Sequence, residues 1–258
     1  MTPRRLVPVL ALTLLAPVLA ACGGSDGGDG GDGGTTLTVY AAASLKKTFG
    51  ELKTEFEETH DGVTVDLVLG GSADLVTQLQ NGADDDADVF ASADTKNMDT
   101  LTDDDLQGQD PQDFATNTLE IVTPPDNPAG VRTLQDLTGD LDLVLCAPEV
   151  PCGAAAQKVA EAAGLTFDPV SEEQSVADVL GKVTSGQADA GLVYVTDVLA
   201  AGDDVLGIEF PESSEVVNTY PITTIKGSDQ ADLAKEFVDL VLGDQGQQVL
   251  QAAGFGAP

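Results

Sequence analysis

The chain has 258 residues, of which 44 are acidic and 11 basic, for a formal net charge of −33 with a single histidine. That balance excludes a nucleic-acid partner, because phosphate backbones are held by clustered Lys and Arg; it reads instead as a solubility feature of an exposed, saline setting. The length suffices for one large domain or two lobes of ordinary size.

Residues 1–21 read as an export signal: Arg4 and Arg5, an apolar run from Leu6 to Val18, then small residues. The run is too short to be a membrane span. Its end, Leu19-Ala20-Ala21-Cys22, resembles the bacterial lipobox, and that resemblance implies a signal cut before Cys22 and a lipid anchor on it, at the extracytoplasmic face of the cell membrane. Several acyl chains on one residue hold a protein to a membrane where one does not. Residues 22–34, almost wholly Gly, Asp and Ser, cannot bury enough apolar surface to order themselves and form a tether. The folded part begins near Thr35, with 9 basic residues left once Arg4 and Arg5 are removed.

Leu37 to Tyr40 alternates as a half-buried strand. Ser44 then stands before Leu45, Phe49, Leu52 and Phe56, an apolar spacing of roughly three to four that fits a helix face. Ser44 is expected as the N-cap of this helix, whose free N–H groups and dipole would seat an anion; capping alone is an equally simple role for it. Val63 to Val68 alternates again, Gly70-Gly71-Ser72 turns the chain, and Leu75, Val76 and Leu79 mark a second helix opened by a serine. The glycines permit close backbone approach to a ligand. Ala87 to Ser92 is a third strand, followed by a helix through Met98 and Leu101. Strands alternating with helices imply a parallel sheet covered on both faces, with ligands beyond its carboxyl edge. The runs Asp84-Asp85-Asp86 and Asp103-Asp104-Asp105 lack the spacing of a calcium loop and read as solvated turns.

Thr118 to Thr123 is a strand, Pro124 to Pro128 a polar turn, Leu134 to Leu137 a short helix, and Leu141 to Leu145 a strand. It runs into Cys146-Ala147-Pro148-Glu149-Val150-Pro151-Cys152, where an exported chain with two close cysteines is expected to form a disulfide between Cys146 and Cys152. A metal site there lacks partners, since the sole histidine, His60, is far away near the end of the first helix. A helix follows from Gly153 to Ala163, and another from Ser175, ending by Gly186. Ala190 to Tyr194 is an apolar strand before a helix that Thr196-Asp197 is expected to cap. Val205 to Phe210 and Val216 to Ile225 are extended; Leu233 to Leu242 and Gln245 to Ala252 are helical. This order implies an α/β chain that builds one lobe over residues 35–116, a second over 117–218, and returns over 219–258 to finish the first.

From Leu37 almost to its end the chain resembles the periplasmic molybdate-binding proteins of ABC importers. The resemblance rests on Tyr40-Ala41-Ala42-Ala43-Ser44-Leu45, Gly71-Ser72-Ala73, Ala87 to Asp94, Val150-Pro151-Cys152-Gly153, Gly191-Leu192-Val193-Tyr194 and Gly254-Phe255. It implies the type II periplasmic-binding-protein fold: two lobes, each a mostly parallel sheet flanked by helices, with the ligand cleft between them. It also implies a receptor, and not an enzyme, that works as a monomer without a cofactor and delivers molybdate or tungstate to a membrane permease. Carried across, the oxyanion falls to Ser44 and Ser72 from the first lobe and to Cys152, Val176 and Tyr194 from the second. No free metal cation is implied, molybdenum being bound as molybdate. Cys152 departs from the alanine expected there, which is harmless if the backbone N–H is the donor.

Sulfate, phosphate and ferric iron are rival ligands. Ferric receptors of similar fold use paired tyrosines, whereas Tyr40 is mid-strand and Tyr194 and Tyr220 are far apart in sequence. A serine hydrolase would need a base, and His60 stands at the wrong end of its helix.

Overall fold

The computed structural model describes residues 34–258; the export signal, Cys22 and the tether through Gly33 lie outside the described residues. The chain first alternates strand and helix: β1 (Thr35–Ala42), a 3-10 turn (Ala43–Leu45), α1 (Lys46–Thr59), β2 (Val63–Gly70), α2 (Ser72–Gln80), β3 (Val89–Ala91), α3 (Thr95–Asp103) and β4 (Gln112–Asn117). It continues with β5 (Leu119–Thr123), β6 (Leu143–Cys146), α4 (Pro151–Ala163), β7 (Ser171–Glu173), α5 (Val176–Thr184), β8 (Ala190–Tyr194), α6 (Val195–Ala201) and β9 (Leu206–Ile208). β10 (Asn218–Thr224), α7 (Ala231–Leu242) and α8 (Asp244–Ala252) close it.

These strands form two five-stranded sheets, β2-β1-β3-β10-β4 and β7-β6-β8-β5-β9. In the first, β2, β1 and β3 are parallel, and β10 runs antiparallel to both β3 and β4. The second repeats the scheme, with β7, β6 and β8 parallel and β5 antiparallel to β8 and β9. In each lobe the strand that arrives from the other lobe is the reversed one. The crossing from β4 to β5 takes the single residue Thr118, and the return runs from β9 through a 3-10 turn (Pro211–Glu215) to β10.

Period-two alternation builds the first core. Leu37, Val39 and Ala41 pack on Phe49, Leu52 and Phe56 of α1 and on Phe237 of α7, while Tyr40 points to the opposite face with Leu75, Leu79, Phe90 and Met98. Aromatic rings carry this packing towards the cleft. Phe237 meets Phe49 and Phe56 edge-on at centroid distances of 5.8 and 5.4 Å, Phe49 meets Phe114 at 6.0 Å, and Phe114 meets Tyr220 at 6.1 Å. The second lobe has its own core, centred on Ile121, Val144, Val159, Val179 and Leu192.

Two local expectations are corrected, and two strands are added. Ser44 is not an N-cap: it lies inside the 3-10 turn, α1 starts two residues later at Lys46, and the cap residue Leu45 offers no side-chain bond. Thr196 and Asp197 sit inside α6, whose cap position is Tyr194; Asp197 reaches back to accept the Tyr194 N–H at 3.0 Å. β4 and β7 carry no apolar alternation and had no signal in the sequence; both are edge strands defined by backbone pairing alone.

Phe237→Ala removes the ring on which Phe49 and Phe56 converge, and is expected to lower the unfolding free energy by about 3–5 kcal/mol in urea denaturation. A loss below about 1 kcal/mol would mean that this cluster does not hold the first lobe.

Candidate functional site

Ser44, Ser72, Cys152, Val176 and Tyr194 all line one cavity between the lobes. The rest of its wall is Ala, Gly, Val and Pro, so no charged side chain faces it. Its volume in this structure is ≈ 10 Å³, about the room of one water.

Helix starts supply its backbone donors. α2 begins at Ser72 and α5 at Val176. α4 begins at Pro151, which has no N–H, so Cys152 carries the first free amide of that helix. Three helix N-termini thus present unpaired N–H groups and the positive ends of their dipoles to one small volume. The Cys146–Cys152 disulfide ties the end of β6 to the first turn of α4 and so holds this amide in place. At Gly71 an added Cβ would stand 2.0 Å from the Gln174 carbonyl oxygen of the other lobe. Only a glycine lets the two backbones approach so closely.

Hydroxyl groups complete the wall. Ser72 Oγ accepts from the Ala93 N–H at 3.0 Å, and Ser44 Oγ pairs with the Tyr220 hydroxyl at 3.1 Å. Asn117 Nδ2 donates to Thr196 Oγ1 at 2.8 Å and to Tyr220 Oη at 3.5 Å. Asn218 Nδ2 donates to Tyr194 Oη at 3.0 Å and to the Ala93 carbonyl at 2.9 Å. Sequence reasoning missed Asn117 and Asn218, and gave Tyr220 and Thr196 other roles, a metal ligand set aside and a helix cap. The two asparagines belong to no motif and are recognisable only as polar residues at the strand ends where the chain changes lobe.

Burial holds the Tyr194 and Tyr220 phenols well above the ordinary tyrosine range, so both remain protonated. Asp197 lies behind Tyr194. Burial pushes its carboxyl up to about 7, against the opposing pull of the Tyr194 N–H.

The rival chemistries find no place. His60 stacks on Phe56 and pairs with Glu236 at 2.8 Å. It sits at the far end of a 14-residue α1, about 20 Å along the axis from Ser44. Among the described residues no group of three or more His, Cys, Asp or Glu could hold a metal. The tyrosines do come together, contrary to the expectation from their distance in sequence: the rings of Tyr194 and Tyr220 lie 6.0 Å apart. Tyr220, however, spends its hydroxyl on Ser44 and Asn117 and does not line the cavity.

A family model for bacterial extracellular solute-binding proteins matches residues 37–256. The chain belongs to this family. This solute-binding protein is 43% identical over 254 residues to the molybdate-binding protein ModA of Mycobacterium tuberculosis, covering 96% of this chain and 97% of the relative. To ModA of Escherichia coli it is 30% identical over 230 residues, covering 85% and 88%. The periplasmic molybdate-binding protein of Azotobacter vinelandii superposes with a TM-score of 0.75 at 22% identity, over 86% of this chain and 99% of that one. The architecture of this solute-binding protein is therefore that of the two-lobed periplasmic binding proteins. Among its described residues no helix is long and apolar enough to cross a membrane.

Two predictions follow from this geometry. Gly71→Ala should hold the lobes apart, giving a larger radius of gyration by small-angle scattering than the parent; equal radii would show that the Gly71–Gln174 contact does not limit closure. A carboxyl raised from 3.8 to about 7 on folding favours the native state fully at low pH and loses that contribution as pH rises. The stability of Asp197→Asn relative to the parent should therefore climb between pH 4 and pH 7, by at most about 1.4 kcal/mol per pH unit, and level off above. Denaturant titrations giving a constant difference across that range would show that Asp197 does not titrate this way.

Proposed function

We propose that this protein captures molybdate, and tungstate with it, outside the cytoplasm and delivers it to the permease of an ABC importer. The observation that carries the reading is an interlobe cavity lined by two serines, a tyrosine and the first residues of three helices, with no charged side chain in its wall. Molybdate at neutral pH is a tetrahedral dianion without a proton, so it can only accept hydrogen bonds, and hydroxyls, backbone amides and helix starts can all supply them. Ser44, Ser72 and Tyr194 would donate through their hydroxyls, Cys152 and Val176 through their N–H groups. Charge-assisted bonds of this kind are worth about 1.5–3 kcal/mol each. The names borne by the 43% and 30% identical relatives agree with this ligand.

Lobe 1 (residues 35–116 and 219–258) and lobe 2 (residues 117–218) would move as bodies about the crossings beside Asn117 and Asn218, closing because the ligand bonds to both. Cys22, acylated, would hold the monomer to the outer face of the membrane through the 22–34 tether.

Melting temperature read with micromolar molybdate, and separately with millimolar sulfate, tests the ligand. A rise with molybdate and little with sulfate is expected; sulfate alone acting would reassign the site to that anion. Ser44→Ala and Ser72→Ala should each weaken molybdate binding by about 1–3 kcal/mol in calorimetry. An unchanged affinity would remove that serine from the set.

A further inference from the structure

We infer that a second pocket, beside the two crossings between the lobes and with Glu120 at its base, binds a small organic cation, an alkylammonium or guanidinium compound. The inference is independent of the oxyanion reading, because this pocket and the interlobe cavity share no lining residue.

β5 is paired on both edges and buried along its whole length, and Glu120 is its one ionisable residue. Glu120 is 8% exposed, and among the described residues neither it nor Glu209 takes part in an ion pair. Its carboxylate has no hydrogen-bond donor among them either; burial, and after it the charge of Glu209, hold the carboxyl above the ordinary glutamate range. An ionised group is costly to bury without a partner, so an unpaired carboxylate in such a place points to a cation that completes it.

The fold makes room for this group. The carboxylate lies against β9 at Gly207, where an added Cβ would stand 2.5 Å from Glu120 Oε1 and 2.5 Å from the side chain of Val198 on α6. Any other residue at Gly207 would fill the place it occupies. The pocket that Glu120 lines has a volume of ≈ 480 Å³, within the range of small-molecule sites. Thr118 of the first crossing and Pro211 of the return stand in its wall, with Glu209 exposed at the rim.

Two carboxylates are the only charged groups in this wall. A bare metal ion is poorly served by them, since calcium takes about six to eight oxygens, and among the described residues no group of three or more metal-ligating side chains exists. Leu119, Phe210 and Pro211 offer apolar surface instead, which suits the hydrocarbon part of an organic cation. Its N–H donors would meet Glu120, and a second charge at the far end of the molecule would meet Glu209.

The probe is agmatine, whose short alkyl chain carries a guanidinium at one end and an ammonium at the other. Calorimetry on the full chain is run in physiological salt, which screens general attraction to the acidic surface. Saturable binding to one site is expected for the parent, weakened about tenfold or more in Glu120→Gln, weakened less in Glu209→Gln, and unchanged in Asp84→Asn, which alters only the 3-10 turn after α2. Absence of saturable binding, or an equal loss in Asp84→Asn, would overturn the inference. So would calcium chloride binding in a Glu120-dependent way where agmatine does not, which would make the pocket a metal site. Should Glu120→Gln fold poorly, amide shifts induced by agmatine in the parent decide: shifts centred on Thr118, Gly207 and Glu209 support the pocket, and shifts scattered over the acidic surface overturn it. None of these outcomes touches the oxyanion reading.

Discussion

Uncharged groups, hydrogen-bonded across the line where two lobes meet, are what the cleft depends on. The chain has a net charge of −33, yet no lysine or arginine stands in the cavity wall to offset it. A buried cation would have to be desolvated before the ligand arrived, at a cost of several kcal/mol. Backbone amides at helix starts carry their partial charge without that cost, because the remainder of each helix already satisfies the groups behind them. Surface repulsion fades beyond a Debye length of about 8–10 Å in physiological salt. Short-range donors inside the cleft therefore decide what stays there.

Such donors work only if they are held before the ligand comes. The disulfide fixes the amide at Cys152, and Gly153 behind it allows α4 to lie against the Ala147 carbonyl, where an added Cβ would approach to 1.9 Å. Gly71 serves the other wall by letting α2 come up to Gln174. The aromatic chain from Phe237 through Phe49 and Phe114 to Tyr220 joins the first lobe's core to a hydroxyl that orients Ser44. Packing free energy far from the cleft is in this way converted into the position of one oxygen.

Most of this was legible in the sequence where one side chain could report its own environment. The β1, β2 and β8 strands announced themselves by alternation or unbroken apolar runs, and the glycine–serine turn at Gly71-Ser72 marked a helix start. Ser44, Ser72, Cys152, Val176 and Tyr194, which line one cavity, were picked out through a family pattern spread along the chain. What was hidden depends on pairing. Edge strands β4 and β7 are made by backbone bonds to neighbours remote in sequence. Tyr220 was weighed only as a metal ligand and set aside, because its partners Ser44 and Asn117 are 176 and 103 residues away. The cap expected at Ser44 failed for the same reason, since its hydroxyl is claimed by a distant phenol in preference to a local amide.

The meeting of Tyr194 and Tyr220 shows how much hydrogen-bond direction decides. Two tyrosines 6.0 Å apart in a cleft between lobes look like a pair awaiting a ferric ion, for which both phenols would have to ionise. Burial raises both hydroxyls far from ionisation, and Asp197 behind them adds a negative neighbour that raises them further. Asn117 and Asn218 each donate to a phenol oxygen, which a cation would have to share with them. With its hydroxyl paired to Ser44, the second tyrosine faces inward to the protein and not to the cavity. The same two rings on the same scaffold are thereby turned from candidate metal ligands into one donor and the support of another.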